Sequence, residues 1–159
     1  LLTSVVALHL RGQIVISGAA DRIAQACELA KAKGAKLALP LTVAGAYHSR
    51  LMAGAQPKMR EALATVALRS PEIPVISNVT AQPHGTGSEV QDRLVEQITS
   101  SVLWERSMRY LLAQGFTRFV ELGPGTVLTG FMRRIDKSAQ MFNVADAASL
   151  EASAKALAR

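Results

Sequence analysis

Cysteine, histidine and aromatic residues are scarce in this chain. The scarcity of cysteine excludes an internal disulfide, and the few histidines are too far apart in the sequence to predict a metal site. The one cysteine, Cys27, cannot form a disulfide within the chain, which favours a reducing compartment. The three histidines, His9, His48 and His84, share no ligand spacing with one another or with Cys27, so we expect no metal site. No apolar run approaches the roughly 20 residues that span a bilayer, and no secretory leader pattern opens the chain. We therefore expect a cytoplasmic protein without membrane contact.

The balance of charge is basic but not concentrated. Eighteen basic residues against twelve acidic ones give a net charge of +6, which favours an acidic partner or a phosphorylated ligand. Lys31, Lys33 and Lys36 form the only local concentration, and no nucleic-acid-binding pattern is present, so no nucleic-acid partner is expected. A solvated basic face is the alternative explanation. With 49% hydrophobic and only 4% aromatic residues, the core is expected to consist of Ala, Val, Leu and Ile.

Hydrophobic periodicity predicts alternating strands and helices, which is typical of an α/β sheet with helices on its faces. The predicted strands are 13–17, 36–43, 73–79, 116–122 and 140–144. The predicted helices are 19–33, 52–68, 88–98 with Ser88 as its cap, 104–115, 127–132 and a last one from about Ala147. The first two strands and the helix between them fit either a right-handed crossover between parallel strands or half of a ferredoxin-like fold.

His48 is the best candidate for chemistry. It lies in the segment GAYHSRLM, between the predicted strand 36–43 and an amphipathic helix. Open α/β sheets place their ligand crevices at such strand ends. The alternative is that His48 is an ordinary structural histidine, which is the commoner case for a lone histidine.

Three other features have competing interpretations. Cys27 shares a helix face with Ile23 and Ala30, so packing is favoured over a reactive thiol. His84 is expected to be an exposed loop residue. The Gly123-Pro124-Gly125 turn precedes a helix, where it is either purely structural, which is favoured, or a site for an anion.

Four segments, GQIVISG, GAYHSRLM, QITSSVLW and ELGPGTVLTGF, follow one another in this order. In sequence and order they resemble the malonyl-CoA:acyl carrier protein transacylases and the acyltransferase domains of polyketide and fatty acid synthases. GQIVISG resembles the family's GQxVISG, and GAYHSRLM resembles GAFHSxLM. QITSSVLW is similar to Q-x-x-x-P-V-x-W, and ELGPGTVLTGF is similar to E-[IL]-G-P-G-x-V-L-[TS]-G. The resemblance extends from Gln13 to about Val144.

The resemblance implies a fold class and a division of the chain. The expected fold is α/β: the C-terminal part of a hydrolase-like α/β core, with part of a small ferredoxin-like α+β subdomain. Residues 1–43 would belong to the subdomain and residues 44–159 to the core. The chain would then be the C-terminal half of such an enzyme.

The resemblance also implies a reaction. In this family a malonyl group passes from coenzyme A to an acyl carrier protein through an acyl-serine ester, in fatty acid biosynthesis. His48 would be the general base and acid, and the backbone carbonyl of Gln97 would accept a hydrogen bond from the imidazole. Malonyl-CoA and acyl carrier protein are the implied partners. No cofactor is expected beyond the coenzyme A thioester, which is a substrate.

The sequence also departs from the family. No G-x-S-x-G segment is present, and no arginine aligns with the one that pairs with the malonyl carboxylate. Residues 1–12 fit the family badly, and Ser101 and Leu103 replace the usual residues before Trp104. We therefore expect the isolated chain to be inactive without a complementing N-terminal half. The alternatives are a non-catalytic fragment or pseudo-enzyme that binds carrier protein or coenzyme A, and the acyltransferase module of a polyketide synthase.

Overall fold

The computed structural model describes residues 3–10 and 13–158, with side chains for residues 13–158. The chain divides into two compact units, with the division between Trp104 and Glu105. The predicted division between residues 43 and 44 stays a prediction. Of the helices in the described ranges, none combines the length and the apolar character that crossing a bilayer requires.

The first unit contains one antiparallel pair of strands and several helices. Its elements are β1 (Thr3–Leu10), β2 (Gln13–Gly18), α1 (Ala20–Ala32), a 3₁₀ helix (Arg50–Ala55), α2 (Gln56–Ala64) and α3 (Gly87–Gln97). β1 and β2 pair from Thr3 opposite Gly18 to Leu10 opposite Gln13. β1 was not predicted from the sequence, whereas β2 and α1 lie within a residue or two of their predicted bounds.

Two predicted strands are not formed. Residues 36–43 pair with no strand in the described part of the chain, and the neighbour of β2 is β1, antiparallel to it. The prediction of a strand pair joined by α1 is therefore wrong. Pro40 offers no N–H to a ladder in the middle of this segment, which disfavours a strand there. Residues 73–79 make only a single bridge, between Ile76 and Pro83.

The helix predicted after His48 is interrupted. A 3₁₀ helix leads into α2, which ends at Ala64 instead of continuing to Leu68. Pro57 explains the position of the break. It has no N–H to donate, so it fits the first turn of an α-helix but not its interior.

The second unit consists of two strands joined by a helix, with one further helix before them in the sequence and one after them. Its elements are α4 (Trp104–Ala113, whose first residue belongs to the first unit), β3 (Arg118–Leu122), α5 (Val127–Ile135), β4 (Gln140–Val144) and α6 (Ala147–Leu157). β3 and β4 are parallel, in register from Arg118 opposite Gln140 to Leu122 opposite Val144. The predictions for these elements hold, and the α/β class is confirmed.

Candidate active site

His48 occupies an unusual backbone conformation at the entrance to the 3₁₀ helix. Its φ is 60°, in the left-handed region that a residue with a Cβ rarely adopts. The following residue, Ser49, is buried and fixes the turn, because its Oγ donates to the carbonyl of Ala46 at 2.6 Å and accepts from the N–H of Leu51 at 3.3 Å. Such backbone strain concentrates at functional sites, where the surrounding structure holds it in place.

The imidazole of His48 contacts the backbone carbonyl of Gln97. Nδ1 lies 2.9 Å from that oxygen, although 49 positions separate the two residues in sequence. Since a carbonyl can only accept, the proton resides on Nδ1, and in the neutral ring Nε2 is left as the acceptor. Among the residues with described side chains, none hydrogen-bonds to Nε2. The two predicted site residues are thus brought together, and their catalytic roles stay predictions.

The position of the Gln97 carbonyl explains why it can accept a hydrogen bond from His48. It lies in the last turn of α3, where carbonyl groups have no partner within the helix. It also accepts from the N–H of Ser100 at 3.3 Å.

An apolar groove adjoins His48. It has a volume of about 580 Å³ and is lined on one side by residues of the 3₁₀ helix and α2 and on the other by residues at the end of α3. Among the lining residues are Tyr47, Met52, Met59, Leu94 and Ile98. His48 is itself among the residues that line this groove.

The ELGPG segment forms a hydrogen-bond network around Glu121 rather than the anion site considered above. The buried carboxylate of Glu121 accepts from the N–H of Leu128 at 3.0 Å and from the N–H and Oγ1 of Thr129 at 2.8 and 2.7 Å. Asn143 Nδ2 donates to the same carboxylate at 3.0 Å and to Thr129 Oγ1 at 2.9 Å. The N–H groups near the start of α5 that an anion would need are thus used by Glu121, which supports the structural interpretation of the turn.

The electrostatics of Glu121 follow from these contacts. Burial acts to raise the pKa of the carboxyl, but the hydrogen bonds from Thr129, Leu128 and Asn143 lower the pKa by more, so that it lies below its ordinary value. Gly123 and Gly125 have φ values of 125° and 92°, which permit the sharp turn between β3 and α5. The part played by Glu121 was not predicted, although its place two residues before Gly123 was a signal.

The remaining candidates have less to offer chemically. Cys27 is a half-buried free thiol on the same face of α1 as Ile23 and Ala30, as predicted. His84 is half-buried rather than exposed, so that prediction is wrong, and its Nδ1 is buried without a hydrogen-bond partner among the described residues. Within residues 13–158, no three His, Cys, Asp or Glu side chains are grouped so that they could hold a metal ion.

Comparison with known proteins gives consistent results. Residues 4–155 match the family model described as "Acyl transferase domain". The malonyl CoA-acyl carrier protein transacylase of Bacillus subtilis (strain 168) is 41% identical over 144 residues, which are 91% of this chain. The crystal structure of an acyl-carrier-protein-S-malonyltransferase from Bartonella henselae superposes with a TM-score of 0.92 at 37% identity, over 99% of this chain.

A third similar protein has been solved together with a partner protein. It is a malonyl-transacylase in complex with its type II PKS acyl-carrier protein, with a TM-score of 0.90, 34% identity and 94% coverage of this chain. The chain spans about half the length of these relatives: 45% of the Bacillus protein, 50% of the Bartonella chain and 48% of the third.

Proposed function

The chain belongs to the acyl transferase domain family, and from this premise we propose that it carries the general base of a malonyl transfer from coenzyme A to the thiol of an acyl carrier protein. The names of the similar transacylases support this choice of acyl group and acceptor. The net charge of +6 suits both the phosphates of coenzyme A and an acidic carrier protein.

The observation that carries the proposal is the hydrogen bond between His48 Nδ1 and the Gln97 carbonyl. It fixes the tautomer in which Nε2 can accept a proton, and it does so without a buried acid. The positive-φ turn at His48 and the buried Ser49 hold the ring at the border of the groove. The arrangement therefore provides a preoriented base beside an apolar surface.

The reaction proceeds through a serine ester in two equivalent halves. His48 Nε2 accepts the proton of a serine hydroxyl as the serine oxygen bonds to the malonyl carbonyl carbon. The carbon–sulfur bond of malonyl-CoA then breaks, and the imidazolium returns the proton to the departing thiolate. In the second half, His48 deprotonates the carrier-protein thiol, the thiol sulfur takes the malonyl group, and the serine is protonated again. No additional cofactor is required, because the thioester is already activated.

The nucleophilic serine is supplied by a segment outside these 159 residues. The sequence contains no G-x-S-x-G segment, the element in which this family carries its serine. For its hydroxyl to reach Nε2, the serine-bearing segment would have to pack against His48. We therefore propose that the 159 residues alone do not transfer malonyl groups.

The test is transfer of radiolabelled malonyl from malonyl-CoA to purified acyl carrier protein. The 159-residue chain is compared with a longer chain that includes a G-x-S-x-G segment from the same gene, and with that longer chain carrying His48→Ala. We expect transfer only by the longer chain with His48 intact, and a loss of roughly 100- to 10,000-fold in His48→Ala. His84→Ala is the matched control and should retain activity.

Two outcomes would contradict the proposal. Transfer by the 159-residue chain alone would show that the nucleophile lies within it. A longer chain that transfers malonyl equally well with His48→Ala would remove His48 from the reaction. Binding of carrier protein by the short chain, with no transfer by either chain, would favour a non-catalytic binding function.

A further inference from the structure

The side chain of Gln56 links the segment that carries His48 to the segment that carries the Gln97 carbonyl. Gln56 Nε2 donates to the carbonyl of Val95 and to Oγ1 of Thr99, both at 3.2 Å. These two acceptors flank Gln97, whose carbonyl contacts His48. One amide group therefore holds the end of α3 on both sides of the carbonyl that orients the imidazole.

The end of a helix needs such a restraint if one of its carbonyls is to orient another group. Carbonyls in the last turn have no helical partner, and helix ends fray. Gln56 is half-buried and is the first residue of α2, immediately after the 3₁₀ helix that Ser49 caps. Any movement of the end of α3 relative to His48 must therefore break the bonds from Gln56 or stretch the bond to Nδ1.

We propose that Gln56 is a positioning residue for His48. By holding the last turn of α3, it keeps the Gln97 carbonyl within hydrogen-bond distance of Nδ1, so that the proton stays on Nδ1 and Nε2 remains the acceptor. This inference rests on the proposed role of His48 as the base. It assigns to Gln56 no contact with substrate.

The chain contains a matched control for this proposal. Gln91, on α3, uses its Nε2 in the same way, and donates to the carbonyls of Leu63 and Val66 at 3.0 Å each. It therefore links α3 to the end of α2 and the residues just after it, away from Gln97. Loss of either glutamine removes two hydrogen bonds between the α2 and α3 segments, but only loss of Gln56 releases the turn that contacts His48.

The experiment compares Gln56→Met with Gln91→Met in the 159-residue chain. Methionine keeps the unbranched length and helix propensity of glutamine but cannot donate a hydrogen bond. The ¹⁵N NMR signals of labelled histidine report which ring nitrogen carries the proton, and the His48 signals are assigned by their loss in His48→Ala. We expect the Nδ1–H form to predominate in the wild type and in Gln91→Met, and its population to fall severalfold in Gln56→Met.

A second measurement links the tautomer to chemistry. In the longer chain used above, Gln56→Met should lower kcat for malonyl transfer by roughly 10- to 100-fold, as small misplacements of a catalytic group do, with KM for malonyl-CoA little changed. Gln91→Met should reduce stability without this loss of kcat. If the two substitutions acted only by weakening the fold, they would have similar effects on kcat.

The proposal is overturned if the His48 tautomer is the same in Gln56→Met and the wild type, or if the two variants alter it equally. A wild-type His48 that does not hold its proton on Nδ1 overturns it as well. Because the NMR measurement needs no activity, it separates this inference from the proposed function. A tautomer that responds only to Gln56, in a protein that transfers no malonyl, would support the positioning role and contradict the reaction.

Discussion

Glu121 accepts four hydrogen bonds from Leu128, Thr129 and Asn143, so its charge and its geometry can be tested by one substitution. Glu121→Gln preserves the shape of the side chain but replaces one acceptor oxygen with a donor. A donor then faces a donor in a buried position, which costs about 1–3 kcal/mol in the free energy of unfolding. Urea unfolding measures this loss.

The control for this substitution is Glu151→Gln. Glu151 is exposed on α6, in the same unit, and its replacement should change the free energy of unfolding by less than about 0.5 kcal/mol. An equal effect of the two substitutions would mean that the network around Glu121 contributes nothing beyond surface charge.

The lowered pKa of Glu121 makes the same contribution dependent on pH. In the unfolded chain a glutamate has a pKa of about 4.3, and in the folded chain the hydrogen bonds place the pKa of Glu121 below its ordinary value. The folded state therefore binds this proton less readily, so the stabilisation is complete above the unfolded pKa and is lost as pH falls through the folded pKa. The difference in stability between wild type and Glu121→Gln should thus be largest near neutral pH and shrink on acidification.

The measurement is a series of urea unfolding curves for the two proteins from about pH 7 down to about pH 3. Asp136 and Asp146 also have lowered pKa values, because Ser138 and Ser149 respectively donate to them, but both residues are present in both proteins and cancel in the difference. A difference that grew on acidification would show that the protonated carboxyl is the better acceptor.

Residue roles could be predicted from the sequence only where a local pattern marks them. His48 and Gln97 stand in segments that resemble a known family, so both were predicted from the sequence. In the structure, 2.9 Å separates His48 Nδ1 from the carbonyl oxygen of Gln97. Gln56 stands in no such pattern, because its acceptors, Val95 and Thr99, are about 40 positions away. Contacts made by one side chain across such a separation leave no periodic signal.

At the scale of elements, the residue that caps the start of α3 differs between the sequence prediction and the structure. Ser88 is the cap that the sequence predicts, whereas Thr86 is the observed cap and forms a reciprocal capping box with Glu89. The N–H of Thr86 donates to Glu89 Oε2 at 2.7 Å, and Thr86 Oγ1 accepts from the N–H of Glu89 at 3.4 Å. Both serine and threonine are good caps, so only the geometry decides between them.

Thr86→Ala should therefore lower the free energy of unfolding by about 1 kcal/mol. Ser88→Ala, two residues further along the chain, should change it by less than about 0.5 kcal/mol. Urea unfolding of the two variants under identical conditions gives the comparison. The reverse order would restore Ser88 as the cap.

Helices were predicted more successfully than strands for a physical reason. The spacing that creates an apolar helix face is local, so α1, α3, α4 and α6 were predicted near their observed bounds. A strand needs a partner, which the sequence of one segment does not reveal. Residues 36–43 have the apolar composition of a strand but no partner in the described residues, whereas β3 and β4 pair with each other and were predicted correctly.

At the scale of the whole molecule, much of the apolar surface is uncovered. Among the apolar side chains of residues 13–158, only those of Ala81, Val95 and Met132 are buried, while Ile73 is 79% exposed and Leu37 is 72% exposed. Within residues 36–43, Leu39, Leu41 and Val43 are exposed as well. Apolar surface of this kind marks an interface with another segment or protein. The similar transacylases are about twice as long as this chain, so the part of them that this chain does not match is a candidate for such a segment.

The 159-residue chain should consequently bind a hydrophobic dye such as ANS, and should associate as its concentration rises. The longer chain with the G-x-S-x-G segment should bind severalfold less dye per molecule if the added segment packs over Leu37, Leu39 and Leu41. Replacing these three leucines with serine should lower dye binding by the short chain without weakening its fold, since exposed side chains contribute little to the core. Fluorescence titration and sedimentation measure both effects. Equal dye binding by the short and long chains would instead show that this surface remains open in the larger protein and is available to a separate partner.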